Sequence, residues 1–193
     1  IECQSESDEA QKVAGSIVGF KQKNNLTYKD FTILYRTNAQ SRPLEEVFVR
    51  MGIPYRIYGG KSFYQRKEIK DVLAYCRLTV NYKDDESLRR IINYPQRGIG
   101  TTTMEKVMAA ANDNNCSIWE IISQPEKYDN ILNQGTWNKL TDFVAKIKSF
   151  HFLLDKQDAF ELGKYIADKS GITEELKMLT EEKERYENLG ELF

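Results

Sequence analysis

Three short stretches of this chain combine residue types that could hold a polyanion. The first is Gln96-Arg97-Gly98-Ile99-Gly100-Thr101-Thr102. Gly98 and Gly100 let the backbone pass close to a partner. The helix predicted to start next would aim its free amide N–H groups, and the positive end of its dipole, outward. Thr101 and Thr102 add hydroxyl donors and Arg97 adds charge. This combination suits a sequence-independent grip on phosphates, of the kind hairpin motifs use on a duplex backbone. A glycine turn between two helices would read the same way. The second stretch is Tyr35-Arg36-Thr37-Asn38-Ala39-Gln40-Ser41-Arg42. It lies past the carboxyl end of a predicted strand and opens a helix, which is the edge where α/β sheets bind ligands. Arg36, Asn38, Gln40 and Arg42 carry donors suited to phosphates or base edges, although a polar loop with a capped helix would have the same composition. The third runs from Lys61 through Phe63, Tyr64, Arg66 and Lys67 to Lys70. Its aromatics could stack on bases while its cations hold phosphates, or they could simply pack a domain junction.

Other chemistry is excluded by what is missing. The chain has no G-x-x-x-x-G-K-[ST] phosphate loop, G-x-G-x-x-G, H-E-x-x-H or G-x-S-x-G. The acidic pairs Glu45-Glu46, Asp84-Asp85 and Glu181-Glu182 are sequence neighbours. Adjacent helical residues point in different directions, so these read as solvated faces and turns rather than paired-carboxylate sites. Cys3, Cys76 and Cys116 are far apart and odd in number. That argues against a disulfide framework or a cysteine zinc site and points to a reducing, cytoplasmic setting. The one histidine, His151, sits between Phe150 and Phe152 in a helical pattern and reads as structural. No metal site is expected. No apolar run is long enough to cross a membrane, and the N-terminus, Ile-Glu-Cys-Gln-Ser, resembles a cut inside a longer chain rather than a signal peptide.

The elements that must position these stretches follow from periodicity and charge. Ala10, Val13, Ala14, Ile17 and Val18 predict a helix over 6–21. Residues 31–35 and 54–58 read as strands, and a helix over 41–50 begins at Ser41, a plausible N-cap, with Pro43 in its first turn. Helix–strand–helix–strand is α/β order with a parallel sheet, and two strands alone would need the rest of the sheet from elsewhere. Gly59-Gly60 reads as a hinge or junction. Everything after it reads as helical, with stripes at 69–80, 88–92, 137–154 and 160–166, a capping box at Thr102 and Glu105, and a charged final segment over 174–193. The formal net charge is −1 over 193 residues. Residues 1–60 are net +1, 61–100 net +4 and 101–193 net −6. A short basic block is the footprint expected of a polyanion site, or an ordinary solvated face.

Read together and in order, these segments resemble the UvrD/PcrA/Rep family of superfamily 1 DNA helicases. Residues 30–46, from Asp30-Phe-Thr-Ile-Leu-Tyr to Leu-Glu-Glu46, resemble the family's motif IVa. Residues 52–60 and 63–75 resemble the crossing into an inserted domain. Ile91-Ile-Asn-Tyr-Pro-Gln-Arg-Gly-Ile-Gly-Thr101 resembles its GIG segment, and Arg185-Tyr-Glu-Asn-Leu-Gly-Glu-Leu192 the return into the core. The resemblance is dense over about 28–106. Over 107–184 it is one of length and helical pattern.

This resemblance implies a mixed α/β and mostly α chain. An incomplete RecA-like piece of motor domain 2A would occupy 1–60, an all-helical inserted domain 2B would occupy 61–185, and 186–193 would return into 2A. It implies DNA as partner, with Arg36 and Asn38 at positions contacting the single strand. Gly98, Ile99, Gly100 and Thr101 fall at positions contacting the duplex backbone, with Arg97 and Thr102 added on charge and helix-terminus grounds. Gly59 and Gly60 would let 2B rotate. ATP and Mg²⁺ would serve the full-length 3′-to-5′ helicase from outside this segment, so the segment alone would not hydrolyse ATP. Two alternatives share the pattern: a module that docks repair or transcription proteins and regulates the motor, and part of a helicase–nuclease subunit.

Overall fold

The computed structural model describes residues 3–37, 40–58, 62–178 and 183–193. Asn38, Gly59 and Gly60 lie outside the described residues, as do 179–182. The chain divides into two compact units, residues 1–66 and 67–193.

In the first unit, α1 (Glu6–Asn24) packs against α2 (Ser41–Met51). Ser5 caps α1 by accepting from the Asp8 amide, and three acidic residues in the first turn suit the positive end of the dipole. The stripe predicted for α1 is the one that packs: Ala10 and Ala14 join Val47, Phe48 and Ile53 in a small core, with Ile17 and Val18 at its edge. Gly52 ends α2 at φ +64, a left-handed angle that glycine adopts freely. Ser41 is not the cap; it is already helical, and Gln40 precedes it with no side-chain cap bond.

There is no strand among the described residues. Residues 31–35 and 54–58, expected as strands, carry no ladder, and Leu34 is 91% exposed. A strand exists only by pairing, and these two segments find no partner in one another. One acidic residue read as solvated is instead buried. Glu45 is 3% exposed, and its carboxylate accepts from the Tyr55 hydroxyl at 3.1 Å, the Phe63 amide at 3.1 Å and the Ser62 hydroxyl. It thereby fastens α2 to the segment that leads out of this unit. Phe63 is fully buried, with the guanidinium carbons of Arg42 and Arg66 at 5.0 and 5.3 Å from its ring centroid.

In the second unit the described residues form α3 (Lys67–Val80), α4 (Asp85–Ile91), α5 (Thr101–Asp113), α6 (Ile118–Ile122), α7 (Gln134–His151), α8 (Ala159–Ser170), α9 (Ile172–Met178) and α10 (Lys183–Leu192). α3 is central, touching α4, α7, α8 and α10. Tyr75, Leu78, Leu88, Ile91, Ile99, Val107, Phe143, Ile147 and Phe150 are among the residues that fill one continuous core. Full burial of each such side chain contributes about 1.5–3 kcal/mol. α3 also buries two carboxylates. Asp71 pairs with Arg90 at 2.7 Å, and Glu68 accepts from the Asn188 side chain at 2.8 Å. The second contact, together with Leu189 in the core, seats α10 on α3. His151 has the structural role its surroundings suggested: Nδ1 lies 2.8 Å from the Thr79 carbonyl, which fixes the proton on that nitrogen.

Candidate nucleic-acid interface

α4 and α5 are consecutive helices, and residues 92–100 form the turn that joins them. Leu88 and Ile91 bury one face of α4, and Val107 and Ala111 one face of α5, so the two helices are fixed by the core they share. Three contacts then shape the turn. Ile99 is 1% exposed and plugs it into the core. The Asn93 side-chain oxygen accepts from the amides of Arg97 and Ile99, both at 3.0 Å. Gly98 takes φ +69, a conformation costly for any residue with a Cβ.

With Ile99 drawn inward, Gly98, Gly100, Thr101 and Thr102 are left exposed. Gly100 is the N-cap of α5 and offers no side-chain cap. Its carbonyl accepts from Thr103 and Met104 at 3.1 and 3.2 Å, and none of the described residues accepts from the amides of Thr101 and Thr102. The capping box expected from Thr102 and Glu105 does not form, because the helix starts at Thr101 rather than after Thr102. The result is an exposed, uncapped helix start beside two small residues, open to an anion.

Arg97 faces the other way. Its Nη1 donates toward the carbonyls of Ile91, Ile92 and Pro95 at 3.0, 3.3 and 3.0 Å. Its Nη2 donates to the Tyr75 hydroxyl at 2.6 Å and the Ser170 carbonyl at 3.2 Å. The Tyr75 hydroxyl in turn donates to the Tyr94 carbonyl at 2.7 Å. Burial pushes the Tyr75 phenol up to about 12, so it stays a neutral donor. Arg97 therefore ties the end of α4, the turn and the end of α8 together, with both terminal nitrogens donating to protein acceptors. The basic block over 61–100 is correspondingly less of a surface stripe than its sequence suggests. Arg66 is 8% exposed, Arg90 is paired with buried Asp71, and Arg97 is turned inward.

Sequence reasoning passed over two residues at the turn. Asn93, four and six residues before the amides it holds, is a turn-former whose side chain mimics a backbone acceptor. Asn93→Ala would strand two amides. We expect a loss of about 1–3 kcal/mol, read as a lower denaturant midpoint at unchanged slope, with weaker binding of any ligand the turn holds. A wild-type midpoint would contradict that role. The other residue is Lys139 of α7, whose Nζ lies 3.3 Å from the Gly98 carbonyl. At 41 residues' separation no local signal could have pointed to it.

The 36–42 stretch is more divided. Arg36 is exposed. Gln40, read as a donor to a ligand, instead accepts from the amides of Arg36 and Thr37 at 2.9 and 3.1 Å. Arg42 is held by Glu46 at 2.9 Å. In the third stretch Phe63 packs, and Tyr64 is 42% exposed with its hydroxyl donating to Glu46 at 3.2 Å.

Among the described residues no group of three His, Cys, Asp or Glu side chains could hold a metal ion. Nor is any described helix long and apolar enough to cross a membrane.

The family model of the UvrD-like helicase C-terminal domain matches residues 1–193. An ATP-dependent DNA helicase PcrA of Staphylococcus aureus (strain NCTC 8325 / PS 47) is 40% identical over 195 residues, covering 98% of this chain and 26% of that protein. The protein of the same name from Staphylococcus epidermidis (strain ATCC 12228 / FDA PCI 1200) is 38% identical, with the same coverage. The chain thus spans about a quarter of the length of these relatives.

Proposed function

This chain belongs to the UvrD-like helicase C-terminal domain family, and from that premise we propose that it is the DNA-engaging segment of an ATP-dependent DNA helicase, with the α4–α5 turn as its grip on duplex phosphates. The observation that carries the reading is the turn itself. Asn93, Ile99 and Arg97 hold it from within, while Gly98, Gly100, Thr101 and Thr102 are left bare outside, with uncapped amides at the start of α5. Backbone amides and small residues read phosphates rather than bases, so the grip is independent of sequence. Ile99 serves the grip by anchoring the turn, its side chain buried and its amide held by Asn93. Arg97 positions the turn instead of contacting DNA.

Arg36 and Asn38 contact the single strand in this reading, and Gly59-Gly60 serves as the hinge of the inserted helical domain. Residues 31–35 and 54–58 become strands when the rest of a RecA-like sheet pairs with them, and α10 leads back to that motor. ATP and Mg²⁺ are bound by sequence outside this chain, in a helicase moving 3′ to 5′.

Fluorescence anisotropy with a hairpin duplex carrying a 3′ single-stranded tail tests the reading. A few phosphate contacts predict weak binding, with Kd on the order of 10⁻⁴–10⁻⁶ M, that falls steeply as salt rises. Absence of binding at low salt would remove the duplex grip and favour a protein-docking role for the acidic helices after residue 107.

A further inference from the structure

One face of α7 is built against the α4–α5 turn. Lys139, Phe143 and Lys146 stand at i, i+4 and i+7, which places them on one side of a helix. Lys139 reaches the Gly98 carbonyl at 3.3 Å. The Phe143 ring lies 5.5 Å from the Arg97 guanidinium carbon. Lys146 is held below the usual lysine range by burial and by the charge of Arg97. α7 is thus the floor of the turn, and Lys139 is the member of this stripe that is exposed at the turn's rim.

The position of Lys139 is specific. A Cβ placed on Gly98 would meet its Nζ at 2.8 Å, so the ammonium sits against the glycine where a side chain would otherwise stand. An ammonium has three donors, and the Gly98 carbonyl takes one. Asp142 is three residues on, yet no carboxylate pairs with Lys139 among the described residues. The charge is therefore held in place by a neutral carbonyl and is not cancelled by an acid. It stands beside a turn whose other ligand groups are uncharged.

We propose that Lys139 is a duplex-phosphate contact, supplying the cationic half of the site whose neutral half is the Gly98–Thr102 backbone. This inference rests on the duplex-grip reading above. It also accounts for the placement of Arg97: the loop's own arginine is committed to the interior, and the charge reaching the rim comes from a helix far along the chain. The ligand class is the sugar–phosphate backbone of duplex DNA.

The test is equilibrium binding of the 193-residue chain to a fluorescein-labelled duplex across a KCl series, with Lys139→Gln, Lys139→Arg, Lys148→Gln and Gly100→Asp alongside. Lys148 is nine residues on from Lys139, half a turn out of phase, and exposed on the opposite face of α7. Lys139→Gln should weaken binding at low salt about three- to tenfold and reduce the slope of log K against log[salt] by about 0.9, the value for one phosphate contact. Lys139→Arg should keep both, Lys148→Gln should match wild type, and melting temperatures should not move. The slope separates a phosphate contact from a packing role, which would leave it unchanged. If Lys139→Gln keeps the wild-type affinity and slope while Gly100→Asp loses binding, the Lys139 assignment is overturned and the turn remains the grip. If wild type does not bind, or Gly100→Asp binds as wild type does, the grip itself is wrong and Lys139 falls with it.

Discussion

Replacing Arg97 with lysine should destabilise the helical unit nearly as much as replacing it with alanine. The guanidinium meets five acceptors on three parts of the fold: the end of α4 with the turn after it, Tyr75 of α3, and the carbonyl of Ser170 at the end of α8. A lysine keeps the charge but not the planar fork, and cannot reach acceptors on both sides. Loss of the fork leaves part-buried carbonyls without a donor. The expected cost is about 3 kcal/mol, or a fall of about 10 °C in melting temperature for a unit of this size. Had Arg97 been a phosphate contact, Arg97→Lys would be mild and Arg97→Ala would leave stability intact while lowering DNA affinity. Thermal melts of the two variants separate these outcomes without any ligand present.

Gly100→Asp should do the reverse, leaving the fold intact and removing the grip. A Cβ at Gly100 meets no heavy atom within 4 Å, and its φ of −85 suits any residue. Aspartate is also a better N-cap than glycine by a few tenths of a kcal/mol, so the melting temperature should hold or rise. The same carboxylate, however, accepts from the α5 amides and places a negative charge where a phosphate would sit. Like charges about 4 Å apart cost about 1 kcal/mol in water and more where water is excluded, so duplex affinity should fall about tenfold. Gly100→Asn, which caps without the charge, should retain more of the binding than aspartate does. A variant that is stable and binds as wild type does would show that the α5 start is not a phosphate site.

Local signals marked much of the architecture. The α1 stripe from Ala10 to Val18 and the α7 stripe from Trp137 pack as their spacing implied, because helical periodicity needs no knowledge of the partner. The glycine requirement at Gly98 was visible too, since G-x-G before a helix start is a backbone statement. α6 was missed although Ser117-Ile-Trp-Glu120 spells a capping box, which the structure forms.

What could not be read depends on contacts distant in sequence. Arg97 looked like surface charge because Ser170, one of its acceptors, lies 73 residues away. Glu45 looked solvated because the donors that bury it lie 10 to 18 residues on, across a turn. Lys139 has no sequence feature that separates it from Lys148; only the phase of α7 against the turn does. The two segments expected as strands show the complementary limit: their residues favour extension, but pairing belongs to the sheet and not to the segment.

The central claim is that duplex DNA is held by the backbone at the start of α5, and amide chemical-shift mapping tests it most directly. Titrating the ¹⁵N-labelled chain with a short duplex should move the amides of Gly98, Gly100, Thr101 and Thr102 first and furthest, with the Lys139 side chain following and the exposed residues of α9 unmoved. Shifts that spare those four amides and gather elsewhere on the helical unit would contradict it.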